Sequence, residues 1–289
     1  MAVYVRPASL AQALEHLGAA VGAVPLILAG GTDYYPAKVG KPLDDDLLDI
    51  TAIPELRGVS EAEDHWRIGA TTSWGEIAGN AELPPLFDGL RLAARDVGGT
   101  QIQNAGTIAG NLCNASPAAD GVPILLAMRA RVELSRMAQQ GQIGRRELAL
   151  GDFITGNRQT RLAPGELLSA ILVPKPRHAA RSTFLKLGAR RYLVISIAMV
   201  GVVLEEAGGV VQGASVAIGA CSAVAQRLPA LETELIGRRL NAGLANKAKP
   251  EHFAALTPID DMRADAEFRR EAALTLTRRA LVAAAQARG

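Results

Sequence analysis

The segment 106–120 has too little apolar bulk to serve as an ordinary core element. It runs Gly-Thr-Ile-Ala-Gly-Asn-Leu-Cys-Asn-Ala-Ser-Pro-Ala-Ala-Asp, so small residues are mixed with hydroxyl and amide side chains. Glycine and alanine allow main-chain N–H groups to approach a ligand closely, and Thr107 and Asn111 can exchange hydrogen bonds with it. Asp120 adds a fixed acceptor. The pattern predicts a loop that contacts a polar ligand.

A second loop of small residues lies upstream and follows an apolar run. Residues 25–29, Pro-Leu-Ile-Leu-Ala, predict a buried strand that leads directly into residues 30–33, Gly-Gly-Thr-Asp. A glycine turn after a strand frees backbone amides to face an anion, and a helix starting near Tyr34 would add its positive N-terminal end. Most Gly-Gly pairs are ordinary turns, so this loop alone does not identify a phosphate site. Two such loops in one chain favour a nucleotide.

Length and composition limit the classes of protein this chain can be. Its 289 residues exceed the length of about 250 residues at which a single core stops growing, so two or three packed subdomains are expected. A net charge of +2 and an aromatic content of 4% argue against nucleic acid or an anionic membrane surface as a partner. Cys113 and Cys221 are too few to ligate an iron–sulfur cluster from this chain alone. No signal-peptide or membrane-spanning run is present, so we expect a cytoplasmic protein without membrane insertion.

Capping residues and hydrophobic spacing predict the elements of the N-terminal part. Ser9 with Gln12, and Ser73 with Glu76, have the spacing of helix capping pairs. The helix after Ser9 is expected to pack on the strand at 25–29. The strand at 25–29 and the next strand, at 47–50, together predict a β–α–β unit. The predicted elements are strands at 47–50 and 66–69, and helices that start near Ser9 and Ser73 and that cover 86–97 and 117–128. Asp120 falls in the first turn of the last helix, where it could be simply a helix-start carboxylate.

The C-terminal part has a different pattern. A strand at 167–173 ends at Pro174, and residues 175–177 resemble a linker. Beyond it the sequence predicts an antiparallel sheet with a turn at Gly208 and Gly209, followed by amphipathic helices. These elements are strands within 184–187, 195–204 and 210–218, and helices at 229–236 and 264–286. The last third is therefore predicted to be a separate α+β domain.

Several motifs together resemble the flavin subunit of molybdenum hydroxylases, the family that includes xanthine dehydrogenase and the medium subunit of aerobic carbon monoxide dehydrogenase. They are Ala29–Asp33, Gln101–Asn111 and Ala115–Asp120, with Lys186–Arg191, Asp261–Arg263 and Glu267–Arg270 in the C-terminal part. The resemblance implies an α+β protein. A two-subdomain FAD-binding domain of the vanillyl-alcohol-oxidase or PCMH type would cover residues 1–175, with subdomains at about 1–56 and 57–175. Residues 176–289 would form a C-terminal domain of the carbon monoxide dehydrogenase flavoprotein type.

The resemblance also assigns roles to individual residues. The two glycine loops would hold the FAD pyrophosphate, and Asp120 would accept hydrogen bonds from the ribityl hydroxyls. Leu168 would pack near the adenine, Lys186 would approach the isoalloxazine, and Tyr192 would shield one flavin face. The expected FAD-binding residues are Leu28, Ala29, Gly30, Gly31, Thr32, Asp33, Gln101, Ile102, Gly106, Thr107, Ile108, Ala109, Gly110, Asn111, Asp120, Leu168, Lys186 and Tyr192.

Some residues keep two interpretations. Tyr192 could equally be an ordinary half-buried tyrosine, and Cys113 is interpreted as a small buried thiol rather than a ligand contact. The pair Arg190 and Arg191 could contact another subunit or simply be solvated. The family usually has glycine where this chain has Ala109, and alanine would be strained if that position required a positive φ.

The resemblance implies an electron-transfer subunit that binds FAD noncovalently, since none of the four histidines falls in a flavin loop. Molybdenum cofactor and iron–sulfur clusters would lie only on partner subunits, and the flavin would pass electrons to NAD, oxygen or another carrier. Two alternatives remain: a stand-alone flavin oxidase or reductase of the same fold, and a nucleotide-binding scaffold without redox activity. Bleaching of flavin bands by an organic substrate alone would favour the oxidase.

Overall fold

The computed structural model describes residues 2–19, 24–138, 141–191 and 193–287, and strands in this part of the chain form four sheets. The strands are β1 (Tyr4–Val5), β2 (Leu26–Leu28), β3 (Leu47–Asp49), β4 (Val59–Glu61), β5 (His65–Gly69), β6 (Arg131–Met137), β7 (Ile143–Ala149), β8 (Ile154–Gly156), β9 (Gln159–Thr160), β10 (Glu166–Pro174), β11 (Ala179–Leu187), β12 (Ala198–Ala207), β13 (Val210–Gly219) and β14 (Gln226–Arg227). The helices are α1 (Leu10–Gly18), α2 (Tyr34–Ala37), α3 (Trp74–Gly79), α4 (Asp88–Asp96), α5 (Thr100–Ala105), α6 (Ile108–Asn114), α7 (Gly121–Ala127), α8 (Leu150–Phe153), α9 (Pro229–Leu235) and α10 (Ala266–Gln286).

The first sheet is small and parallel, with strand order β1-β3-β2. The short helix α2 lies between β2 and β3, so the predicted β–α–β unit is confirmed. The predicted cap of α1 is also confirmed, because the Ser9 hydroxyl accepts a hydrogen bond from the Gln12 amide at 3.3 Å. The expected packing of this helix is wrong. Its apolar side packs mainly against β6 and β10 of the next sheet, because these longer strands offer the wider apolar surface.

The strand predicted at 25–29 is shorter and less buried than expected. It covers Leu26–Leu28, and only Leu28 is fully buried, while Leu26 is 44% exposed. The reason is the position of the strand: β2 is an edge strand of its sheet, and Leu26 and Ile27 line a cavity, although Ile27 also packs against the core. An apolar run therefore predicted the strand correctly and its environment incorrectly.

The second sheet is antiparallel, with order β4-β5-β10-β6-β7, and the fully buried β10 lies at its centre. The capping box at Ser73 and Glu76 is present at the start of α3, as predicted. The helix predicted at 117–128 begins only at Gly121, because residues 117–120 form a turn in which the Ala119 amide bonds to the Ser116 carbonyl at 3.0 Å.

The third sheet is antiparallel, with order β11-β12-β13-β14, and α9 and α10 pack against it. The predicted hairpin turn is confirmed: Gly208 and Gly209 have φ of 61° and 74°, which is typical of a type I′ turn between twisted strands. The remaining two strands, β8 and β9, form a small separate hairpin.

The core crosses from the second sheet into the third. Phe184, Met199 and Val203 of the third sheet belong to the same buried cluster as the N-terminal part, and a second cluster fills the space beneath α9 and α10. Helix α7 lies directly on β12, since a Cβ at Gly201 would lie 2.6 Å from the Ile124 Cα. This contact holds the start of α7, next to Asp120, against the C-terminal sheet. In the part of the chain described here, no helix is long and apolar enough to cross a membrane.

Candidate nucleotide site

Both glycine loops line a common cavity of about 700 Å³. This volume lies within the range of about 300–1,000 Å³ that is typical of small-molecule sites. The cavity is bounded by β2, the start of α2, helix α6 and the first half of β10. The predicted residues that line it are Leu28, Ala29, Gly30, Gly31, Thr32, Asp33, Ile102, Gly106, Thr107, Ala109, Gly110, Asn111 and Leu168.

The two loops contact each other through their backbones. A Cβ at Gly30 would lie 1.9 Å from the Ala105 carbonyl oxygen and 2.9 Å from the Gly106 Cα, distances that no side chain can occupy. Gly31 has φ of 66°, so its left-handed conformation also favours glycine. Close approach of the two backbones therefore requires glycine at residue 30, and the left-handed backbone conformation favours glycine at residue 31.

The first loop presents donors that no group of the protein accepts. Within the described ranges, the backbone amides of residues 30–33 form no hydrogen bond to the protein, and neither does the Thr32 hydroxyl. Successive free amides in a tight turn form an anion-binding concavity. The donor set fits a diphosphate, which accepts several hydrogen bonds without needing a basic residue in the loop.

The second loop is organised differently, because its amides are already bonded within the protein. Ile108 donates to the Thr72 carbonyl at 3.0 Å and Ala109 to the Ala70 carbonyl at 3.3 Å. Thr107 caps α6: its hydroxyl oxygen accepts from the Gly110 amide at 3.1 Å. The hydroxyl hydrogen of Thr107 and the side-chain amide of Asn111 remain as donors toward the cavity.

Ala109 is not strained. It lies within α6 and is absent from the residues with positive φ, so a glycine is not needed there for backbone reasons. Alanine in place of the family's usual glycine therefore adds no backbone strain that would weaken the loop.

Asp120 and Lys186 do not line the cavity but form a buried ion pair beside α7. Lys186 Nζ lies 2.7 Å from Asp120 Oδ2, with side-chain exposures of 8% and 10%. Ser196 donates to the other carboxylate oxygen at 2.7 Å. Burial raises the pKa of the Asp120 carboxyl, although Lys186 and Ser196 favour its charged form. Asp120 makes no capping hydrogen bond to α7, so it is not a simple helix-start carboxylate.

Two further predicted residues, Gln101 and Ile108, do not line the cavity. Gln101 is exposed at the start of α5, and Ile108 is fully buried in the core behind α6. Tyr192 lies outside the described residues. The ligand-binding roles of all the residues predicted from the sequence stay predictions, including those of Asp120, Lys186, Gln101, Ile108 and Tyr192.

The structure adds cavity residues that the sequence interpretation did not assign. Cys113 was interpreted as buried filler, but it is exposed and faces the cavity; the surrounding protein raises the pKa of its thiol to about 12. Asn114 and Arg158 also line the cavity. Asn114 belongs to the same polar segment as Cys113, so its signal was present in the sequence. Arg158 is brought there by the β8–β9 hairpin, and nothing local indicated it.

A ligand held by histidine and a metal ion both find less support among the described residues. The four histidines, His16, His65, His178 and His252, are described, and none lines the cavity. Among the described side chains there is also no group of three or more histidine, cysteine or acidic residues that could hold a metal ion.

Comparison with known proteins gives two family matches. Residues 1–176 match the FAD binding domain in molybdopterin dehydrogenase, and residues 183–284 match the CO dehydrogenase flavoprotein C-terminal domain. The chain is 30% identical to the glyceraldehyde dehydrogenase medium chain of Sulfolobus acidocaldarius, covering 96% of each protein. It is 28% identical to the carbon monoxide dehydrogenase medium chain of Hydrogenophaga pseudoflava, covering 97% of this chain and 96% of that protein.

The fold agrees with these matches. A chain of the Cu,Mo-CO dehydrogenase crystal structure superposes with a TM-score of 0.88 at 29% identity, covering 98% of this chain and 97% of that one. The predicted fold class, an FAD-binding domain followed by a C-terminal domain of antiparallel sheet and helices, is thereby confirmed.

Proposed function

Because the chain belongs to the family of FAD-binding medium subunits of molybdenum hydroxylases, we propose that it carries electrons between a partner subunit and an external acceptor. It is an oxidoreductase subunit whose N-terminal part is an FAD-binding domain. FAD, when bound, supplies the redox chemistry, since it accepts and releases electrons in steps that protein side chains cannot perform. The acceptor would be NAD, oxygen or another carrier.

The observation that carries the proposal is the juxtaposition of the two glycine loops across one cavity. The amides of residues 30–33 are free, and the Thr107 hydroxyl reaches the same space. We infer that the diphosphate of FAD is held by the first loop and by Thr107. Leu168, 2% exposed and on the cavity wall, is inferred to pack near the adenine.

The same geometry supports the proposal that FAD is bound noncovalently. Covalent attachment through histidine needs an imidazole beside the ring, and the described histidines lie away from the cavity. Precipitation of the purified protein with acid should therefore release all the yellow chromophore as free FAD. Flavin retained on the denatured chain, or FMN in place of FAD, would contradict this.

The proposed partners are an iron–sulfur subunit and a molybdenum-cofactor subunit of one complex. Two observations support this: the described side chains offer no metal-binding cluster, and the carbon monoxide dehydrogenase relative is named as a medium chain, which is a subunit. The cytoplasmic location expected from the sequence is part of the same proposal.

Co-expression with the neighbouring subunits tests the assignment. We expect affinity purification of this chain to retain both partners, and its flavin absorbance to bleach when the substrate of the complex is added. The chain purified alone should bind FAD and remain oxidised under the same conditions. A stable monomer that ignores the partners and turns over a small substrate would identify a stand-alone flavoenzyme instead.

A further inference from the structure

One end of the cavity is formed where helix α6 ends against the β8–β9 hairpin. Asn114 is the last residue of α6, and Arg158 lies in the turn of the hairpin. Both line the cavity, together with Leu162, Leu167 and Leu168. A cation and an amide therefore share this end of the cavity with three leucines, and the proposed function gives the cation no role.

Arg158 is held there in an unfavourable backbone conformation. Its φ is 56°, and the residue that follows α6, Ala115, has φ of 46°. Both values lie in the left-handed region, which glycine and asparagine occupy far more readily than other residues. The Arg158 amide donates to the Ala115 carbonyl at 2.9 Å, so the two residues are hydrogen-bonded to each other. Such outliers persist where the surrounding structure fixes them, and they are concentrated at ligand sites.

The guanidinium of Arg158 is oriented but not neutralised. Its Nη1 donates to the Asn114 Oδ1, which holds one side of the group beside the end of α6. In the described part of the chain, no carboxylate lies within ion-pair distance of Arg158. Arginines of this region such as Arg146 do pair with acids, in that case with Glu166 at 2.6 Å. The cation at residue 158 is therefore left available to a ligand.

The length of α6 separates this end of the cavity from the glycine loops. Thr107 caps one end of the helix and Asn114 is its last residue, so the two are about 10 Å apart at 1.5 Å per residue. A group that contacts Arg158 is thus distant from a diphosphate held at Thr107. The free amides of the first loop already serve that diphosphate, whereas the leucines beside Arg158 suit a planar apolar ring.

We propose that Arg158 binds the adenine ring of the dinucleotide, with its guanidinium plane against the base and the leucines on the other walls. The inference rests on the proposed function, because it requires that the cavity holds FAD. Guanidinium groups stack on aromatic faces, and a lysine ammonium is no substitute because it is a compact and strongly hydrated point charge. Asn114 acts as a positioning residue that fixes the guanidinium.

Binding of FAD and FMN to the apoprotein tests this inference, since FMN lacks the adenine. We expect Arg158→Lys and Arg158→Gly each to weaken FAD about tenfold and to leave FMN unchanged. Arg158→Gly should also unfold at the same temperature as the wild type or higher, because glycine relieves the left-handed strain. The matched control is Arg129→Gly, an arginine with φ of 55° that does not line the cavity, which should leave FAD affinity unchanged.

Three results would overturn the inference. Unchanged FAD affinity in both Arg158 variants would show that Arg158 does not contact the adenine ring. Equal losses of affinity for FAD and FMN would indicate a general structural effect. Wild-type affinity in Arg158→Lys with loss in Arg158→Gly would indicate a charge contact with phosphate. In each case the wild-type protein still binds FAD, so the proposed function survives. A wild-type apoprotein that binds neither flavin would end both proposals.

Discussion

The two glycine loops are similar in sequence, but the hydrogen-bond donors of the first loop are free, whereas those of the second are mostly bonded within the protein. Residues 30–33 leave their amides and the Thr32 hydroxyl without a protein partner, whereas Ile108 to Asn111 donate theirs within the protein and Thr107 serves as a helix cap. A free donor near a cavity is available to a ligand, and a bonded donor stabilises the fold. The first loop is therefore suited to binding, and the second mainly presents its side chains from a rigid helix.

Asp120 belongs with the second loop in this respect. Its carboxylate is satisfied by Lys186 and Ser196 without any ligand. The comparison thus separates residues whose loss should affect ligand affinity from residues whose loss should affect the stability of the apoprotein. The predictions below test that separation, in order of decreasing effect.

The largest effect is expected from Lys186→Met. The substitution leaves Asp120 buried without its partner, and breaking such a pair costs about 3–5 kcal/mol of folding free energy. Urea unfolding of the apoprotein measures the loss. The double variant Lys186→Met with Asp120→Asn should recover part of it, since no buried charge remains. A single variant as stable as the wild type would show that the pair is not closed in solution.

Asp120→Asn by itself tests the ribityl contact. The predicted ribityl contact would give the carboxylate a second role beside its pairing with Lys186, so FAD affinity should fall while ADP affinity stays constant, because ADP has no ribityl group. Calorimetric titration with both ligands distinguishes the cases. Equal losses for FAD and ADP would make the role of Asp120 purely structural.

Gly30→Ala should separate the two loops. The added Cβ would lie 1.9 Å from the Ala105 carbonyl oxygen, so the backbones must move apart, at about 1–3 kcal/mol by the usual cost of overpacking. FAD binding should be lost with it, as judged by flavin fluorescence. Gly79→Ala is the matched control, because nothing lies within 4 Å of a Cβ at that helix end. Normal FAD binding by Gly30→Ala would argue against the contact between the loops.

The threonines provide the most direct comparison. Thr32→Val should lower FAD affinity by about 1–3 kcal/mol, since a charged acceptor loses a donor, and should leave the melting temperature of the apoprotein unchanged. Thr107→Val should also lower FAD affinity, because Thr107 is inferred to reach the diphosphate, but unlike Thr32→Val it should in addition destabilise the apoprotein by about 0.5–2 kcal/mol through loss of the helix cap. Thermal melts with and without FAD separate the two effects. Identical behaviour of both variants would mean that the loops do not differ.

The smallest effect concerns Cys113. Because desolvation by the protein atoms around the cavity wall raises the pKa of its thiol to about 12, very little nucleophilic thiolate exists at pH 7, and the alkylation rate should rise about tenfold per pH unit up to that value. Bound FAD should slow the reaction further, since the side chain faces the cavity. Mass spectrometry after iodoacetamide treatment measures both, with Cys113→Ala showing the contribution of Cys221. Equal rates with and without FAD would place the thiol away from the ligand.

Much of the local structure was determined by the sequence. The caps at Ser9 and Ser73, the turn at Gly208 and Gly209, and both glycine loops were predictable because each depends on residues within a few positions of one another. The motifs also determined the family, and with it the cofactor.

Tertiary structure decided what the polar groups of those motifs do. Nothing in the local sequence distinguishes Thr32 from Thr107, because the partner of each amide is set by the carbonyl that folding brings near it, as Thr72 and Ala70 do for α6. The same holds for the pairing of Asp120 with Lys186 across 66 residues, and for Arg158, which reaches the cavity only because its hairpin meets the end of α6. Caps and turns are local and follow from residue type. Whether a buried donor is free or bonded depends on long-range packing, which the order of residues along the chain does not reveal.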